Sequence, residues 1–167
     1  MNFSELLDAS DEVVRGVSWK SSTQMFRLKR LIWASNTNES LRSKKYKTKG
    51  YNEFQIHERG KLRVIRSCHI SDRMVQKAFN ENVLKPKIYP KLIHDNSASQ
   101  QGKGTDFALR RLKVHLSKFY RKHSNNGYVL LLDFKNYFGN IDKGILAEKL
   151  SKILDLEEME LMMTLLN

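Results

Sequence analysis

At 167 residues the chain is one domain or part of one, long enough to bury a core. Its 30 Lys and Arg against 18 Asp and Glu leave a formal charge of +12. That surplus points to nucleic acid first and an anionic membrane surface second, and neither an amphipathic anchor nor a lipidation signal favours the membrane.

A single cysteine, Cys68, excludes an internal disulfide and argues against cysteine-ligated zinc. The five histidines are scattered and read as surface or core residues. Met1 to Glu5 carry neither a basic n-region nor an apolar h-region, so the expected location is cytoplasmic.

In chain order, Ser10-Asp11-Glu12 reads as a helix start, weakened by Gly16 and Ser18. A stronger helix follows Ser22-Thr23. Met25, Phe26, Leu28, Leu31, Ile32 and Trp33 recur near a 3.6-residue period, with Arg27, Lys29 and Arg30 on the other face. That basic face is either solvated or set against phosphate. Ser35 to Asn38 should break the helix. Arg42, Lys44, Lys45, Lys47 and Lys49 then crowd a span without an acid, and Tyr46 and Tyr51 are interleaved. Such a run suits a nucleic-acid backbone with occasional base stacking, or else a mobile solvated loop.

Asn52 to Glu58 and Lys61 to Arg66 each alternate with period two around Arg59-Gly60, which predicts a β-hairpin. Lys61 and Arg63 share a face and form a candidate triphosphate clamp; Leu62, Val64, Phe54 and Ile56 are expected on the apolar face. Ser71-Asp72 should cap a helix through Met74, Val75, Ala78, Phe79 and Val83. Pro86 and Pro90 should bracket an extended connection.

Residues 94–105 form a polar loop. Its Gly102-Lys103-Gly104-Thr105 is not a P-loop, because Gly104 follows the lysine and Ser97 stands where the first glycine belongs. Thr105 should cap a basic helix from about Asp106 to His123, with apolar Phe107, Leu109, Leu112, Val114, Leu116 and Phe119 among Arg110, Arg111, Lys113, Lys118, Arg121 and Lys122.

Tyr128 to Leu132, following the turn-like Asn125-Asn126-Gly127, predicts a strand buried on both faces. It delivers Asp133, which either caps the segment after it or stands at a sheet rim as a metal ligand. A helix around Ile145 to Ile153 and another capped by Asp155 complete the chain. The apolar ending, Leu161 to Leu166, suggests a chain that stops inside a larger fold.

Four blocks, in order, resemble the N-terminal part of bacterial and phage reverse transcriptases of the group II intron, retron and diversity-generating type. They are F-Q-I-H-E-R-G-K-L-R-V-I, I-S-D-R-M-V-Q-K-A-F, D-N-S-A-S-Q-Q-G-K-G-T-D-F-A-L and L-L-L-D-F-K-N-Y-F-G-N-I-D. The ordered set spans roughly residues 50–145. The resemblance implies an α+β, right-hand polymerase fold: a fingers-like region at 1–125, the start of a palm with motif A at 126–167, and no thumb.

It also implies RNA-directed DNA polymerase chemistry. Two Mg²⁺ or Mn²⁺ ions would drive nucleotidyl transfer onto a primer 3′-hydroxyl. Asp133 then matches the metal-bridging aspartate, and the Phe134 backbone carbonyl a further ligand. Phe138 matches the aromatic gate against a ribose 2′-hydroxyl, or else packs in the core. Lys61 and Arg63 match cations that clamp the incoming dNTP, or else touch the template backbone. Lys44, Lys45, Lys47, Arg110 and Arg111 are candidate contacts to RNA template and DNA primer, with no membrane partner.

Two departures weigh against activity in this chain alone. No Asp-Asp dipeptide occurs, so the Y-x-D-D turn is missing, and both prolines precede residue 91, so motif B is missing too. The 167 residues are therefore expected to be inactive without the remaining palm and thumb, in cis or in trans. The alternative is a non-catalytic nucleic-acid-binding module. An unrelated basic RNA-binding protein would lack both the hairpin at 52–66 and the strand at 128–133.

Overall fold

The computed structural model describes residues 1–166 and is mixed helical with one small antiparallel sheet, an α+β arrangement. The chain divides into two compact units, residues 1–88 with 143–167, and residues 89–142.

The first unit opens with α1, Phe3–Val13. It begins earlier than the Ser10 signal suggests, because Asn2 and Glu5 form a capping box. The Asn2 side chain accepts from the Glu5 N–H at 2.9 Å, and Glu5 accepts from the Asn2 N–H at 2.8 Å. Ser10 lies buried inside this helix.

The single helix expected after Ser22 is two, α2 (Ser21–Leu28) and α3 (Arg30–Arg42), joined at Lys29. Ser35 to Asn38 do not break α3, because Ala34 and Thr37 turn into the core and fix that stretch as helix. Met25, Leu28, Leu31 and Ile32 remain exposed.

α4, Ile70–Phe79, packs on α1. Leu6, Ala9, Val13, Phe26, Ala34, Met74, Val75 and Ala78 form the shared core. The extended connection expected around the prolines is helical instead. A π-helical turn, Asn80–Leu84, leads into α5, Lys85–Ile88, with the Lys85 N–H donating to the Asn80 carbonyl. The wider turn lets the helix continue into Pro86, which has no N–H to give and is tolerated in a first turn.

α7 (Lys143–Ser151) and α8 (Leu156–Leu166) pack on each other and build a second core of Phe79, Leu150 and Leu154. Asp155 caps α8 as expected. It accepts from the Glu158 N–H at 2.9 Å, and Glu158 accepts from the Asp155 N–H at 2.9 Å.

The second unit holds α6, Thr105–His123, preceded by an irregular loop. Its N-cap is Gly104 rather than Thr105, which is already helical. None of its described residues is buried, and Leu109, Leu112, Leu116 and Phe119 stand exposed. After α6 the backbone passes so close to Phe119 that a Cβ on Gly127 would lie 2.3 Å from the ring, so a larger residue there would have to displace the exposed Phe119 side chain.

Tyr128 to Leu132 is not a strand. The run has no ladder partner, because the one sheet among the described residues pairs two other segments. Its five side chains are 70–103% exposed. An apolar pattern signals a need for burial, but a strand forms only where another strand supplies the hydrogen bonds.

Candidate nucleotide and nucleic-acid contacts

The hairpin forms where the alternation places it: β1, Tyr51–Glu58, pairs antiparallel with β2, Lys61–Cys68. Arg59 (φ 50°) and Gly60 (φ 75°) make the two-residue turn. Two positive φ values in such a loop are those of a type I′ turn, whose twist matches the strands.

Register corrects the expected faces. Glu58 lies opposite Lys61, Ile56 opposite Arg63 and Phe54 opposite Ile65. Directly opposed residues share a face. Phe54 and Ile56 therefore flank Lys61 and Arg63, while Leu62 and Val64 project from the other side with His57 and Gln55. The Arg63 guanidinium meets the Glu58 carboxylate at 3.1 Å, both about half exposed. Lys61 has no ion-pair partner among the described residues.

The basic run leaves α3 through a Schellman turn. The Lys45 N–H donates to the Ser40 carbonyl at 2.9 Å and the Lys44 N–H to Leu41 at 3.1 Å, with Lys44 at φ 55°. The Lys44 ammonium pairs with Glu160 at 2.8 Å, which raises its pKa.

Beyond it the segment is held in place. Tyr46 donates its hydroxyl to Asp72 Oδ1 at 2.9 Å, and the Lys49 N–H donates to Asp72 Oδ2 at 2.7 Å. Burial, then the Asp72 charge, pushes the Tyr46 phenol far above its usual range. Asp72 does not cap α4. His69 does, with Nδ1 accepting from the Ser71 N–H at 3.2 Å. Burial first, then Lys49, lowers the His69 pKa, which favours the neutral acceptor.

The role of Asp72 is what sequence reasoning misses. A signal existed: Asp72 falls on the same helical stripe as Val75 and Phe79, and a carboxylate on a buried stripe needs partners.

In the second unit Asp95 ties the polar loop to α6. It accepts from Arg111 Nε, faces His115 Nε2 at 2.5 Å and meets His94 Nδ1 at 3.1 Å. Hydrogen bonding from Arg111, then from both histidines, holds its carboxyl well below the usual range. Of the two arginines expected to touch nucleic acid, Arg111 is thus engaged internally, while Arg110 is exposed.

Asp133 sits exposed at the end of the unpaired run. Phe134, Tyr137 and Phe138 come next as a small exposed aromatic group, with ring centroids 6.0 Å and 5.3 Å apart in sequence. Phe138 is 86% exposed, so it does not pack in a core.

Lys61 and Arg63 belong to one unit, and Asp133, Phe134 and Phe138 to the other. Among the described residues no group of three or more His, Cys, Asp or Glu is placed to hold a metal ion. No described helix is long and apolar enough to cross a membrane. In comparisons with known proteins, no family model and no curated relative matches the chain.

Proposed function

We propose that this chain is the fingers and the beginning of the palm of an RNA-directed DNA polymerase, contributing Asp133 as one carboxylate of a two-metal nucleotidyl-transfer site. The reading rests on four ordered sequence blocks, the charge of +12 and the hairpin of β1 and β2. The hairpin is the observation that carries it: an exposed ribbon with Lys61 and Arg63 on one face, next to aromatic Phe54. Such a face offers the Lys61 ammonium, unpaired among the described residues, to a triphosphate, and Arg63 once it leaves Glu58.

Mg²⁺ or Mn²⁺ would be held by Asp133, the Phe134 carbonyl and carboxylates that these 167 residues lack. The metals would activate the primer hydroxyl and stabilise the leaving group. Phe138 would stand against the ribose. The isolated chain therefore binds RNA–DNA primer–template without extending it.

The second reading, a non-catalytic nucleic-acid-binding module, is favoured by one observation. Asp133 ends an exposed run rather than standing on a sheet rim.

A photoreactive dATP analogue separates the two. Primer–template-dependent crosslinking to the hairpin, lost in Lys61→Ala/Arg63→Ala, supports the polymerase reading. Binding of primer–template with no such crosslink supports the module. Robust dNTP incorporation by the purified chain would show that the half-site assignment is wrong.

A further inference from the structure

Asp72 is 2% exposed, and both of its carboxylate oxygens are taken by donors from one short segment, residues 45–50. Neither donor is a lysine ammonium: one is a phenol, the other a backbone N–H. The carboxylate fixes the segment without neutralising its charges.

Burial along the segment alternates as in an extended chain. Tyr46 and Thr48 are half-buried; Lys45, Lys47 and Lys49 are exposed. The Lys49 ammonium lies 3.8 Å from the centroid of the Trp33 ring, which occupies it. Lys44 is occupied by Glu160. Lys45 and Lys47 remain, turned to solvent and without ion-pair partners among the described residues. At strand rise they stand about 6.6 Å apart along a backbone anchored between and after them.

We propose that Asp72 is a positioning residue that presents Lys45 and Lys47 as a paired phosphate-binding site for a nucleic-acid backbone. This inference rests on the nucleic-acid reading above and deepens it. Two lysines on a free loop lose backbone freedom when they bind, whereas on a clamped segment that ordering is already complete.

The test measures binding of a fluorescent single-stranded RNA by anisotropy across a salt series, beside trypsin cleavage at Lys45 and Lys47 in free protein. Single-strand affinity falls with salt at a slope of about 0.7 per phosphate neutralised, so losing two contacts lowers the slope by about 1.4, or roughly 25-fold in affinity near 0.1 M salt. Lys45→Ala/Lys47→Ala should show that loss. Asp72→Asn should show most of it, cleave faster with trypsin, and lose nothing more when combined with the lysine changes.

Tyr46→Phe keeps the ring and the Lys49 N–H bond, so it serves if Asp72→Asn folds poorly. It should fall between wild type and the lysine variant in slope. Unchanged trypsin cleavage in both clamp variants, or losses that add to those of the lysine variant, overturns the positioning role. Faster cleavage beside a lysine variant that binds RNA like wild type leaves the clamp standing but overturns the nucleic-acid reading at this segment, and the proposal with it.

Discussion

Leu131 offers the sharpest contrast between what its neighbourhood in sequence demands and where the structure leaves it. Its side chain is 89% exposed, so about a tenth of its area is hidden. Full burial of a leucine contributes about 1.5–3 kcal/mol, which makes the share at stake in Leu131→Asp about 0.2–0.3 kcal/mol. On a strand buried on both faces the same change would lose that contribution and bury an unpaired carboxylate, at least about 3 kcal/mol in all.

Urea unfolding followed by far-UV circular dichroism reads the difference, with Met74→Ala as reference. Met74 is fully buried, and its truncation should cost about 2–5 kcal/mol. A second measurement reports on residue 131 directly: Leu131→Cys in a Cys68→Ser background should react with a thiol reagent as fast as an unfolded thiol. A loss above about 2 kcal/mol for Leu131→Asp, or strong protection of the introduced cysteine, would refute the exposed placement and restore the buried strand.

Arg59→Asn should stabilise the hairpin by about 0.5–1 kcal/mol, because asparagine tolerates the left-handed conformation that Arg59 adopts and Asn-Gly is the favoured type I′ pair; slower amide exchange in β1 and β2 checks it, and unchanged exchange refutes it. Glu81 accepts from Lys77 at 2.8 Å and Lys85 at 2.6 Å, and these bonds, Lys77 first, depress its pKa below the ordinary 4.5. Its stabilisation is therefore present above pH 4.5 and lost as pH falls through the depressed value, so thermal stability should drop more steeply in acid for wild type than for Glu81→Gln, and parallel curves would dismiss the pairing.

The hairpin was legible because two alternating runs flank a glycine-containing dipeptide. The face of each residue was legible too, once loop length is used: a two-residue turn pairs Glu58 with Lys61 and so puts Ile56 beside Arg63. The cap of α8 was readable from Asp155 with Glu158 three residues on. α3 was not, because Ser35 to Asn38 have poor helix propensity and only the burial of Ala34 and Thr37 overrides it. The anchoring of the basic run depends on Asp72, which lies 23 to 26 residues away, and no local pattern joins them. Tyr128 to Leu132 shows the opposite failure: a strong local pattern that finds no partner strand among the described residues. Asp133 inherits that, since its place depends on the run that carries it.

The hairpin has a consequence for how the protein behaves in concentrated solution. It is a ribbon of two strands with apolar side chains exposed on both faces and two free edges, the form most prone to edge-to-edge stacking with other chains. Glu53, Glu58, Lys61, Arg63 and Arg66 are interspersed among its apolar residues, and charge at such positions keeps edges from pairing. The cations proposed to meet a triphosphate thus also serve as gatekeepers against aggregation. Removing them should reduce solubility along with binding, so Lys61→Ala/Arg63→Ala belongs beside a charge-reversing swap such as Lys61→Glu, which keeps the guard while repelling the triphosphate.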